Sequence, residues 1–504
     1  MRILLVLLLI MVMVWEVMGV SRGPYAPEAD TLIKYFAECD AGDTLTLTED
    51  TAVWKKAVAM PPNVHLIGAG VDATTIIDSS GGKLTIAGVE GQRFTISHIR
   101  FEPRFVGNMI YITGNSKTWR IHHCIFHSDF KGPGMETVSI YPGSDLSYGC
   151  IDNCYFYNTK VIVNYCPGET SWKAALNAGS ADAVYVEDCV FLLDSLIHNA
   201  MDMNCGGRYV ARYNVFQNCY IEAHSLQNAS SGIIQRGSRK MEAYNNHFVS
   251  YAIRGNVVPM FAAIRCRGGT GIFFNNTVTD STGGDVVEYV IAFDNVRDVE
   301  SKPDPLFYCD GTNPLDGNIA DEGWPCLDQI GRSTDNSSET RLPQDSFPSM
   351  SWNNKKNGSL VNPSVMPWSV DHIKENRDYV NGAPTLKKYF AYTYPHPERG
   401  EVVELKISSL SKTSNVTTND KITITATGMQ ASQGNGYIAV GNTLATPVSW
   451  SDTSTVFTAP DMATGEYRVY LVNNNYQVDS SATLTYGSSN QNKIRAVAKR
   501  RLRP

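Results

Sequence analysis

Between residues 202 and 267 the chain concentrates side chains that bind anions or move protons: Asp202, Asn204, Arg208, Arg212, Glu222, His224, Arg236, Arg239, Lys240, Arg265 and Arg267. Guanidinium and ammonium groups neutralise a carboxylate, and a histidine or an arginine of lowered pKa removes a proton from carbon. One constellation assigns Arg236, Arg265 and Arg267 to anion binding, with Lys240, Asp202 and Asn204 completing the binding surface. His224 or Arg239 then transfers the proton and Glu222 orients them. A different chemistry uses Asp202 and Glu222 as twin acids for hydrolysis, which requires their side chains to lie about 5–10 Å apart. Simpler readings compete. Arg239 and Lys240 follow Gly237-Ser238 in a turn, where solvated charge is expected, and Arg208 and Arg212 have Glu222 or Glu242 as ion-pair partners. His122, His123 and His127 surround an earlier position of a repeat and read as structural or exposed.

These groups need a frame, and a repeat supplies it. IHHCIF (121–126), IDNCYF (151–156), VEDCVF (186–191), ARYNVF (211–216), AYNNHF (243–248) and FFNNTV (273–278) share one pattern, with ISHIRF (96–101) a looser member. The last position is Phe except for Val278; the fourth runs Ile99, Cys124, Cys154, Cys189, Asn214, Asn246, Asn276. A fixed period means stacked units that bury their cores only against neighbours. Stacking turns the Phe into a buried column and the three Asn into a ladder of bonded amides, with small Cys in the same inward slot of earlier rungs. The expectation is an all-β chain: a right-handed parallel β-helix over 24–300.

Aligning rungs on the Asn positions places Met203, Gln235 and Arg265 in one column and Asp202, Ile234 and Ile264 in the next. Inward isoleucines then turn Arg265 and Arg267 outward. Arg236 falls on the inward parity, so either it lies past the strand end or the register slips.

At the start, residues 29–47 give a short helix, with Asp30 as N-cap candidate, followed by a turn and the alternating strand TLTLT. An amphipathic helix there closes the apolar end of a β-helix. With NVHLIGAGVDATTIID (63–78) the chain resembles the pectin-lyase-like β-helix superfamily over about residues 29–300. CLDQIGR (326–332), NRDYVNG (376–382) and YTYPHP (392–397) are similar to stretches of secreted bacterial β-helix proteins of largely uncharacterised function. Residues 301–403 lack regular signal and read as an irregular extension packed along the helix. Residues 404–486 resemble an IPT/TIG immunoglobulin-like domain through Gly428, SWSDT (449–453), Pro460 and Gly465, which implies a small β-sandwich.

The β-helix resemblance implies an extended polysaccharide lying on an outer face. An acidic polysaccharide as partner, and a lyase cleaving a uronic-acid-containing glycan by β-elimination, follow from the cationic cluster. A non-catalytic glycan-binding or cell-surface protein is the alternative, and a glycoside hydrolase the next. The W-x-D-H and R-x-P-x-x-R patterns of the main pectate lyase family are missing, as is the N-x-D…D-D…G-H-G series of polygalacturonases, so no catalytic residue transfers by motif. Without Asp-rich clusters no metal ligand is assigned, and Ca2+ stays open as a cofactor.

A net charge of −7 gives no footprint of nucleic-acid binding. Residues 1–19 read as a secretory signal peptide, with an uncleaved anchor as the alternative, which points to a secreted or cell-surface protein. Among the eleven Cys, Cys309 and Cys326 make a plausible disulfide in a loop-rich segment. Residues 487–504 form a basic tail.

Overall fold

The computed structural model describes residues 19–295 and 326–487, apart from the short stretches 105–106, 130–135, 195–198, 229–233, 252–258, 282–285, 337–343, 371–372, 384–388, 390, 401–404, 430–432, 434–436, 442 and 474–477. The segment read as a signal peptide, up to residue 18, and the segment read as a basic tail, from 488, lie outside this range.

Between Ser21 and Asn381 three sheets of 12, 10 and 11 strands are built by adding a strand to each in turn, every pair parallel except the last of the eleven-stranded sheet, where Ser359–Val361 runs antiparallel to Asn354–Lys356. This is a parallel β-helix. The helix Ala29–Phe36 buries Ala29, Leu32 and Phe36 at its N-terminal end. Its N-cap is Glu28, with no side-chain cap bond; Asp30 lies in the first turn and pairs with Lys56 instead of capping.

The repeat sets the core. Phe101, Phe126, Phe156, Phe191, Phe216 and Phe248 stack with ring centroids 4.4–5.3 Å apart, close to the spacing of adjacent strands. Each is almost wholly buried, which stabilises the stack by roughly 1.5–3 kcal/mol per ring. Beside them, Asn214 Nδ2 donates to Asn246 Oδ1 (3.1 Å), Asn246 Nδ2 to Asn276 Oδ1 (3.0 Å) and Asn276 Nδ2 to Asn354 Oδ1 (2.9 Å). Each acceptor also takes the backbone N–H of the preceding Asn. In the earlier rungs the thiols of Cys124, Cys154 and Cys189 occupy the slot and donate to the carbonyls of Ile96, Ile121 and Ile151.

The residue before each ladder position adopts a left-handed conformation: His98, His123, Asn153, Asp188, Tyr213, Asn245, Asn275 and Asn353, with φ between 51° and 60°. This one residue turns the chain from the twelve-stranded to the eleven-stranded sheet.

The helix does not stop at 300. Ser349–Trp352 and Tyr379–Asn381 extend the twelve-stranded sheet, Asn354–Lys356 the eleven-stranded and Ser364–Val365 the ten-stranded. Part of the expected irregular extension is therefore further rungs. SWNNKK (351–356) carries the ladder Asn without the Phe, which hid it. Cys166 and Cys205 form a disulfide that the sequence did not suggest. Cys326 is disulfide-bonded, while Cys309 lies outside the described residues.

The C-terminal unit is a separate compact body. Seven antiparallel strands from Lys406–Leu410 to Val478–Tyr486 enclose Ile422, Ile424, Ile438, Val440, Phe457, Val469, Leu471 and Leu484.

Candidate functional site

The outer face of the ten-stranded sheet carries the site. In strands Asn199–Asn204, Tyr220–Ala223 and Met260–Cys266 the register sets Met201 beside Ile221 and Ile221 beside Ile264, all buried in the core. Period-two alternation then turns Asp202, Glu222 and Arg265 outward in one row. His224 and Arg267 lie two positions further on, in the adjacent outward row, held by N–H bonds from His224 to Met203 O and from Arg267 to Ala223 O. This is not the column derived from sequence. Ile234 and Gln235 leave the stack to pair with Gln227–Asn228 in an antiparallel hairpin, so Glu222 takes the place beside Arg265.

His224 Nε2 is 3.0 Å from Asp202 Oδ1 and 3.3 Å from Glu222 Oε1. Arg267 Nη2 is 3.0 Å from Glu222 Oε2 and lies against the imidazole, 2.7 Å from each ring nitrogen. Asn199 Nδ2 donates to Glu222 Oε1 at 3.0 Å. Arg265 Nε donates to Asp294 Oδ2 at 2.8 Å, with Nη1 3.8 Å from Glu222 Oε2, and its guanidinium lies over Phe261.

These contacts drive the two titrating groups apart. Burial opposes ionisation of Glu222, but the His224 hydrogen bond and the charges of Arg267, His224 and Arg265 outweigh it and bring the carboxyl down to about 2. Burial also opposes a charged His224; the Asp202 carboxylate and the bonds to Asp202 and Glu222 overcome it and raise the imidazole. The two shifts favour a charged His224 beside an ionised Glu222.

One ligand atom from each of Asp202, Glu222 and His224 lies within 4.8 Å of the others, so the three could share a cation. Ca2+ prefers six to eight oxygens, and an imidazole with two carboxylates is a poor match. Arg267 and Arg265 already bring positive charge to Glu222.

Asn204 continues the row of His224 toward the N-terminus. Its N–H donates to Asn164 Oδ1, and Asn164 Nδ2 donates to the Tyr141 hydroxyl at 2.6 Å. Tyr141 stacks on Tyr111, centroids 5.5 Å apart. Tyr111, Tyr141, Asn164, Asn199 and Asp294 were missed in the sequence. Tyr141 and Asn164 each directly follow an inward apolar residue, Ile140 and Val163, and a correct register would have found them.

Arg236, Arg239 and Lys240 are not part of this cluster, and the catalytic and binding roles expected for them are corrected. Arg236 is fully buried between Asp328, Asp335 and Glu169, over the Trp172 ring. Arg239, also over the Trp172 ring, donates to Ser171 O, Ala174 O and Thr334 Oγ1. Lys240 Nζ donates to Asn177 O, and burial takes its pKa down to about 8. The Gly237-Ser238 turn suggested solvated charge; segments 168–177 and 326–335 pack against it instead.

Residues 405–486 match the IPT/TIG domain family. No curated protein sequence matches the chain. Similar solved structures include ORF18 of Geobacillus virus E2 (TM-score 0.31, 8% identity, covering 92% of this chain and 86% of that one). A tailspike protein mutant of E. coli bacteriophage HK620, in complex with a pentasaccharide, gives a TM-score of 0.28 at 12% identity, covering 92% and 88%. The Dettilon tailspike protein gp208 gives 0.19 at 10%, covering 93% and 90%. At such values the functional argument rests on the site itself. The chain is a parallel β-helix followed by an IPT/TIG domain.

Proposed function

We propose that this protein cleaves an extracellular polysaccharide by glycoside hydrolysis, at the Asp202–His224–Glu222 cluster on the outer face of the ten-stranded sheet. The observation that carries the reading is the close pair of outward carboxylates, with oxygens within 4.8 Å, whose shared partner is His224. That spacing lies near the shorter of the two glycosidase geometries, about 5 Å. Glu222, held ionised, attacks the anomeric carbon as the glycosidic bond breaks, and water then hydrolyses the glycosyl ester, releasing the sugar and freeing Glu222. The Asp202–His224 pair holds the proton for the leaving oxygen. Two groups with opposed shifts on one face suit an acid and an anion acting together. Tyr111 and Tyr141 offer ring faces for sugars on the rungs before the cluster, and Asn204 and Asn164 offer amides.

Arg265 and Arg267 favour a second reading, β-elimination on a uronate glycan, since both guanidiniums border the same cluster. In the described structure they are engaged by Asp294 and Glu222, which leaves less positive charge for a substrate carboxylate. The test is a panel of neutral and acidic polysaccharides incubated with the full chain. Release of reducing ends without absorbance near 235 nm supports hydrolysis; a rise near 235 nm overturns it in favour of elimination. Binding on a glycan array without either signal leaves the non-catalytic reading.

Export is part of the proposal, since the substrate is a surface or secreted polymer. No helix of the described residues is long and apolar enough to cross a membrane.

A further inference from the structure

On a different sheet from the candidate site, the left-handed turn position of the first two repeats is filled by histidine: His98 (φ 60°) and His123 (φ 51°). Later rungs use Asn, Asp or Tyr there. His122, the last residue of strand Trp119–His122, lies beside them. Three of the chain's ten histidines are thus brought together on two rungs.

Their geometry converges. His122 Nδ1 and His123 Nδ1 are 2.9 Å apart. The His98 ring lies parallel to that of His123 at 5.2 Å and edge-on to His122 at 5.8 Å. The Nδ1–Nδ1 contact is a hydrogen bond between the two rings; nitrogens bound to one ion at about 2.0–2.1 Å would lie about 2.9 Å apart at octahedral angles and about 3.3–3.4 Å apart at the tetrahedral angles of Zn2+. His98 is exposed, so rotation about its side-chain torsions brings a third nitrogen toward the pair.

The surroundings tolerate a cation. The nearest guanidinium, Arg120, is held by both oxygens of Asp152 at 2.7 and 2.8 Å. His98 and His123 line a groove of about 710 Å³ together with Asp72, Asn153, Tyr155 and Asp188.

We propose that His98, His122 and His123 form a binding site for a late first-row divalent cation such as Zn2+ or Ni2+. Imidazole is a ligand suited to these metals and gives little to Ca2+ or Mg2+. The ion would clamp two successive rungs near the N-terminal end of the helix. This site is independent of the polysaccharide reading and stands or falls without it.

The test is calorimetric titration of the tag-free, EDTA-treated full chain with ZnCl2 and with NiCl2. The substitution His123→Asn is compatible with the fold, because Asn occupies the same left-handed position at 153, 245, 275 and 353; His98→Asn follows the same logic. The expected result is a binding event that His123→Asn weakens at least tenfold, His98→Asn weakens less, and His224→Gln leaves unchanged. Absence of binding at millimolar Zn2+ and Ni2+ overturns the proposal. So does an isotherm that His123→Asn leaves superimposed, or one lost in His224→Gln instead.

Discussion

Arg236 and Asp328, 92 residues apart in sequence, meet in a two-point ion pair without solvent exposure, Nε to Oδ2 at 2.8 Å and Nη2 to Oδ1 at 2.7 Å. Asp335 closes on the same guanidinium at 2.8 and 3.0 Å. Arg236→Ala strands two buried carboxylates, and the expected cost is about 3–5 kcal/mol of stability. Arg236→Lys recovers only part, since an ammonium cannot make the paired bonds. If the role is structural, glycan cleavage at a temperature where the variant is folded is unchanged. Urea unfolding beside an activity assay separates the two, and a selective loss of turnover would return Arg236 to the site.

Glu222→Gln keeps the shape of the side chain and removes its charge. Cleavage is expected to fall by at least a thousandfold, with circular dichroism unchanged. Asp202→Asn should act in the same direction. A variant that retains its rate would remove the pair from the chemistry.

Stability should fall toward both ends of the pH range, with Glu222 contributing to the acid loss and His224 to the alkaline one. Glu222, at about 2 in the folded chain against an ordinary 4.5, contributes stability that is present above pH 4.5 and lost as pH falls toward 2. The amount is on the order of 3 kcal/mol. His224 is raised above 6.5, so its contribution is present below pH 6.5 and lost as pH climbs through the raised value. Melting temperatures from pH 2 to 9 should show both limbs. Glu222→Gln should lessen the acid loss and His224→Gln the alkaline one.

In the ladder, Asn246→Ala leaves the Asn214 N–H and Nδ2 without their acceptor and removes the donor to Ala211 O. Each unsatisfied buried group costs about 1–3 kcal/mol, so the variant should lose several kcal/mol. Asn246→Cys, the residue type of the earlier rungs, should lose less. Equal losses would show that the slot needs the amide itself.

Much of the frame was legible because stacking repeats its demands. Phe156, Cys154 and Asn246 recur at a fixed place, and each inward slot accepts few residue types. The site was harder. Glu222 and His224 were found as chemistry, yet their partners depended on register, and the excursion through Ile234–Gln235 broke the alignment that placed Gln235 beside Arg265. Arg236, Arg239 and Lys240 looked exposed because burial there comes from segments far away in the chain, around Trp172 and Asp328. Cys166 and Cys205, 39 residues apart, pair through folded proximity that no local spacing marks. The IPT/TIG unit was legible from its own turns and alternating strands.

The bond from Asn276 to Asn354 joins residues 78 positions apart, yet it has the same form as the bonds between ladder neighbours about thirty apart. The stack does not register how far the chain has travelled between visits, only that it returns in step. A long insertion between rungs can therefore leave the form of the spine unchanged, at a closure cost that grows only slowly with its length. In such a molecule the surface that meets the outside world is free to diversify while the column beneath it stays fixed.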